Sequence, residues 1–96
     1  MESRTVVVRN TLGMHARAAA RFARLAGTFR ARVLVQRQSR VMDGKSIMGL
    51  LLLAAPRGAE LTILADGDDA PQAVAALAEL VERGFDGDGA PPSPAT

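Results

Sequence analysis

His15 is the single histidine of the chain, and it stands in the run Leu12-Gly13-Met14-His15-Ala16-Arg17. An imidazole changes charge nearer neutral pH than any other ordinary side chain, so it can act as nucleophile, base or metal ligand. A metal needs three or four ligands, yet the sequence offers no cysteine, no second histidine and no carboxylate within helical reach of His15. Neither a metal nor a cofactor is expected. The surroundings suit an anion instead: Gly13 permits a tight turn, and the alanine-rich stretch from Ala16 is a strong helix former. The free N–H groups of a first helical turn, together with its macrodipole, bind phosphate, and Arg17 adds a guanidinium fork. The local chemistry reads as a phosphorylatable histidine, with simple capping of the helix by His15 as the plainer alternative.

Ser46 opens a second helical stretch and is an N-cap candidate, its hydroxyl accepting a backbone N–H. A phosphate on that hydroxyl would sit at a helix start and add about −1.5 to −2 charges, repelling an acidic partner. The helix that follows is apolar almost all round: Ile47, Met48, Leu50, Leu51, Leu52 and Leu53. A small domain cannot readily bury them all, so Ile47, Met48 and Leu51 are expected to form an exposed patch for a partner.

With 96 residues and 48% hydrophobic content, one domain with one core is expected, spanning residues 1–85. The absence of cysteine excludes disulfide and thiol chemistry, and no basic start runs into a long apolar stretch, so a cytoplasmic protein is expected. The longest apolar run, Leu50–Pro56, falls far short of the roughly 20 residues of a membrane helix. Charge is unevenly spread. Residues 1–45 carry ten basic side chains against Glu2 and Asp43, a net +8, whereas residues 46–96 carry Arg57 and Arg83 against eight acids, a net −6. His15 lies in the basic half, whose field favours an acidic protein partner or a phosphate. Nucleic acid is not expected, because no Tyr or Trp and three Phe leave almost no platform for stacking bases.

The elements that position these residues follow from periodicity. Thr5–Arg9 is β-branched and ends at the turn-prone Asn10-Thr11, predicting a first strand. Ala19, Phe22, Ala23 and Ala26 form the buried stripe of a helix that starts at Ala16 and ends at Gly27. Arg17, Arg21 and Arg24 repeat along another face, a solvated row that could also dock an acidic partner. Arg32–Gln36 and Arg40–Met42 predict a hairpin closed at Asp43-Gly44, Ser46–Leu53 a short helix, and Glu60–Ala65 a fourth strand. Asp69, Pro71 and Gln72 signal a last helix with Val74, Leu77, Ala78 and Val81 inward, stopped at Gly84. Residues 86–96, with three prolines, are expected to be a disordered tail. The order βαββαβα predicts an α+β open-faced two-layer sandwich, a four-stranded antiparallel sheet with three helices on one face.

Gly13-Met14-His15-Ala16-Arg17, followed about thirty positions on by Lys45-Ser46-Ile47-Met48-Gly49-Leu50, resembles the histidine phosphocarrier family HPr over roughly residues 3–84. The resemblance implies a carrier of the phosphoenolpyruvate-dependent phosphotransferase system. Enzyme I would load Nδ1 of His15, and phospho-His15 would pass the phosphoryl group to a histidine of a IIA protein or domain. By the same resemblance Arg17 holds the phosphoryl oxygens, and Ser46 is the regulatory serine that an ATP-dependent kinase modifies in some bacteria. Ile47, Met48 and Leu51 match the apolar partner surface, and Arg24 a position that is often basic. Ala18 departs from the proline common in the family, and Leu12 leans toward its nitrogen-related branch rather than sugar transport. A carrier docking several partners through one face is expected to be monomeric. A different class of reading keeps the same residues: a regulatory module whose output is complex formation rather than phosphate flow.

Overall fold

Six of the alternating residues of three strands face inward and define the core. The computed structural model describes residues 1–87, as β1 (Glu2–Val7), α1 (Ala16–Gly27), β2 (Arg32–Arg37), β3 (Arg40–Asp43), α2 (Ile47–Leu52), β4 (Glu60–Asp66), α3 (Ala70–Glu82) and a short α4 (Gly84–Gly87). The strands form one antiparallel sheet in the order β1-β4-β2-β3. Its register sets Val6 beside Leu61, Val35 beside Ile63 and Val33 beside Ala65, all buried. Helices cover that face, with Phe22, Leu50, Leu53, Leu77 and Val81 fully buried against it. Each such side chain contributes about 1.5–3 kcal/mol by leaving water. Among the described residues the opposite face is bare: Thr5 and Thr62 share a hydroxyl hydrogen bond of 3.0 Å there, with Gln36 next to Thr62 in the register. The α+β open-faced sandwich is therefore the observed architecture.

Several local expectations are corrected. The first strand begins at Glu2, because pairing with β4 carries the polar Glu2–Arg4 into the ladder. α1 does end at Gly27 as expected, and Thr28 caps it, its Oγ1 donating to the Leu25 carbonyl at 2.7 Å. The β2–β3 hairpin closes at Gln38-Ser39, with Gln38 at φ 55°, whereas Asp43-Gly44 turns the chain into α2. Ser46 and Leu53 cap α2 from just outside it. Asp69 does precede α3, but its carboxylate caps nothing there; it accepts the N–H groups of Arg30 and Ala31, both at 2.8 Å.

The helix count is four rather than three. Gly84, Phe85 and Asp86 have φ of 72°, 57° and 61°, so the added element α4 is a left-handed turn. Two non-glycine residues in that conformation cost about 1–2 kcal/mol each. Complete burial of Phe85 offsets this, as do hydrogen bonds from Arg21 Nη1 to the carbonyls of Phe85 (2.6 Å) and Asp86 (3.1 Å). The expected tail beyond residue 87 lies outside the described residues.

Candidate functional site

The loop before α1 is built around Gly13, at φ 69°. Its N–H donates to the Asn10 carbonyl at 3.2 Å, and the Asn10 side-chain amide donates back to the Gly13 carbonyl at 2.8 Å. Met14 then turns inward and is buried, while its N–H reaches the Ala55 carbonyl at 2.9 Å. Because Met14 is anchored in the core, the next residue must point the other way. His15 emerges half-buried at the mouth of α1.

His15 is the N-cap residue, with extended backbone angles (φ −84°, ψ −177°). Its carbonyl accepts the Ala19 N–H at 2.8 Å and begins the helical ladder, and its ring Nδ1 accepts the Arg17 N–H at 3.3 Å. The capping reading and the chemical reading thus fall on one nitrogen. An Nδ1 that accepts carries its lone pair, so the proton of a neutral ring sits on Nε2. A hydrogen bond of 3.3 Å is long, and that lone pair is easily released toward an electrophile. The N–H that releases it stays in place, at a helix N-terminus, for an incoming anion. Arg17 itself is exposed, its guanidinium carried on the first turn; Ala18, one residue on, is fully buried.

Ser46 is half-buried, and its Oγ accepts the Gly49 N–H at 3.0 Å, confirming it as the cap of α2. At the other end of α2, Arg40 and Arg37 donate to the carbonyls of Leu52 (2.8 Å) and Leu53 (3.1 Å). Cations of the basic half therefore serve partly as clamps on backbone carbonyls. Ile47 and Met48 are exposed, at 44% and 69%, but Leu51 is half-buried and packs on the core. Leu52, 55% exposed, takes its place outside, and Leu12 in the loop before α1 is also exposed. Sequence reading missed Leu52 because a six-residue helix that is apolar all round has no period to phase it. α2 packs on α1, so both helix starts belong to one helical layer. Arg24 is exposed two turns along α1 from Arg17, but Arg21 between them is committed to α4, which breaks the basic row. Among the described residues, no group of three or more His, Cys, Asp or Glu is placed to hold a metal, and no helix is long and apolar enough to cross a membrane.

A half-buried histidine capping the first helix of an open-faced sandwich, with an arginine N–H on its Nδ1, defines a class of protein built to present one imidazole at a surface. The chain matches the PTS HPr component phosphorylation site family over residues 2–83 and belongs to that family of phosphocarriers of the phosphotransferase system. It is 43% identical to the phosphocarrier protein HPr of Cupriavidus necator over 85 residues, 88% of this chain and 96% of that one. It is 39% identical to the phosphocarrier protein NPr of Shewanella violacea, over 86% of this chain and 91% of that one. Among solved structures, HPr from Thermoanaerobacter tengcongensis superposes with a TM-score of 0.86 at 35% identity, over 90% of this chain and 97% of that one. HPr from that organism has also been solved as a dimer, at a TM-score of 0.71.

Proposed function

We propose that this chain accepts a phosphoryl group from enzyme I on Nδ1 of His15 and delivers it to a histidine of a IIA protein or domain. The observation that carries this reading is the Arg17 N–H on Nδ1 of His15. The lone pair of Nδ1 attacks phosphorus, the bond to the donor breaks, and the Arg17 N–H turns from ring nitrogen to phosphoryl oxygen. The Arg17 guanidinium spreads the charge of a loose, nearly in-line transition state. The site is shallow, with one arginine and one helix end. That suits a carrier, since binding the group equally in ground and transition states would gain no rate.

Partner docking falls to Arg24, Ile47 and Met48, with Leu51 contributing from beneath and Leu52 added by its exposure. Phosphorylation of Ser46 by a kinase would place a dianion at the start of α2 and disfavour an acidic partner. This reading takes the protein to act in the cytoplasm as a monomer, and a dimer in solution would count against the latter. Both HPr-named and NPr-named relatives match, and the reading leans to the nitrogen-related branch on the residue type alone, a leucine at position 12 before Gly13.

The test is incubation with enzyme I and labelled phosphoenolpyruvate, comparing wild type with His15→Ala. Acid-labile, alkali-stable label that disappears in the variant is the expected result. No label on the folded wild type would favour the regulatory module, with Ser46 as its modified residue.

A further inference from the structure

Arg21 and Asn10 lie outside the phosphoryl-binding atoms; Asn10 bonds the backbone that holds His15, and Arg21 bonds the α4 turn that packs on Asn10. The left-handed turn of α4 packs on Asn10: a Cβ placed on Gly84 would meet the Asn10 Cβ at 3.5 Å. Asn10 is 3% exposed, and its amide donates to the Gly13 carbonyl. That same carbonyl accepts the His15 N–H at 2.9 Å. From the other side, Arg21 on α1 pins α4 through the carbonyls of Phe85 and Asp86, one helical turn beyond Arg17. A closed circuit results: α1 holds α4, α4 covers Asn10, Asn10 holds Gly13, and Gly13 holds the first residue of α1's cap.

We propose that Asn10 and Arg21 are positioning residues for His15, fixing the distance between its Nδ1 and the Arg17 N–H from opposite ends of this circuit. Arg21 is then a strut for the site rather than a docking cation, although it stands in the basic row. The Arg17 N–H contact is the variable they control, because the cap geometry depends on the Gly13 carbonyl and on the course of the first turn.

The part of the test that concerns phosphoryl transfer rests on the proposed function; the spectroscopic part does not, so the two can fail separately. In the full chain, Arg21→Gln and Asn10→Ala are expected to shift the Arg17 amide and His15 ring nitrogen resonances while the protein stays folded. Arg21→Lys, which can still donate to both carbonyls, is expected to restore them. With enzyme I and phosphoenolpyruvate, kcat for loading should fall by about tenfold in Arg21→Gln with KM little changed, as small misplacements of reacting groups do. A rise in KM alone, or unmoved Arg17 and His15 resonances in folded Arg21→Gln, would overturn the proposal. Should Asn10→Ala fail to fold, Arg21→Gln and its lysine rescue carry the test, since Arg21 is only half-buried.

Discussion

Gly13 and Ala55 meet backbone to backbone: a Cβ on Gly13 would fall well inside van der Waals contact distance of the Ala55 carbonyl oxygen, which also accepts the Met14 N–H at 2.9 Å. The loop that carries His15 is therefore registered against the segment after α2 through main-chain atoms. Gly13→Ala adds that clash to the cost of a left-handed alanine, together about 2–4 kcal/mol. Urea unfolding should report a loss of this size, with loading of His15 reduced in the surviving folded fraction.

Ala18 is the third residue of α1 and is fully buried. On the proposed function, Ala18→Pro removes an N–H from the turn that would face the phosphoryl group, and a hydrogen bond to a charged acceptor is worth about 1.5–3 kcal/mol at most. Only part of that is in play, so phospho-His15 is expected to hydrolyse about two- to tenfold faster in the variant. Equal rates would show that the Ala18 N–H does not contribute.

Capping and charge at Ser46 separate by substitution. Ser46→Ala loses the bond to the Gly49 N–H and should cost about 1 kcal/mol while leaving partner affinity intact. Ser46→Asp keeps a good cap but brings a negative charge. Its stability should match wild type, and its KM with an acidic partner should rise, most visibly at low salt.

The Asp69 carboxyl is held below its ordinary value of 3.8, chiefly by the Arg30 N–H and further by that of Ala31. A group whose folded value is depressed stabilises fully above its unfolded value and loses that contribution as pH falls through the folded one. Asp69→Ala should thus melt below wild type at neutral pH, and the gap should narrow as the buffer is taken below about pH 4. A gap of constant width down to strong acid would show that Asp69 acts through packing alone.

Ala54 follows the C-cap of α2 at φ 50°, the left-handed position where glycine is favoured. Its side chain is exposed, so Ala54→Gly removes strain without opening a cavity. After the added freedom of glycine in the unfolded chain, a gain of about 0.5–1 kcal/mol is expected. Thermal melting should rise by several degrees, since about 1 kcal/mol moves a domain of this size by 4–8 °C.

Much of the fold is legible because its elements are buried on one side. Leu61, Ile63 and Ala65 alternate as a half-covered strand must, and Ala19, Phe22, Ala23 and Ala26 keep helical spacing. His15 and Arg17 are legible because the turn, cap and cation are adjacent in the chain. What escapes is long-range. The left-handed turn at Phe85 is held by Arg21, 64 residues away, and Asp69 finds its partners 38 and 39 residues back. Gly84-Phe85-Asp86 by itself reads as a helix stop followed by tail. The exchange of Leu51 for Leu52 at the surface of α2 escapes for another reason: only neighbouring elements can decide which side of a uniformly apolar helix faces out.

The bare face of the sheet has an engineering consequence. Thr5, Thr62 and Gln36 point away from the helical layer that carries His15 and Ser46. A cysteine introduced at Thr5 or Gln36 would be the chain's sole thiol, since the native sequence contains none. A fluorophore or a solid support attached there would leave the imidazole and helices α1 and α2 clear, allowing the proposed transfer to be followed on a tethered carrier, one molecule at a time.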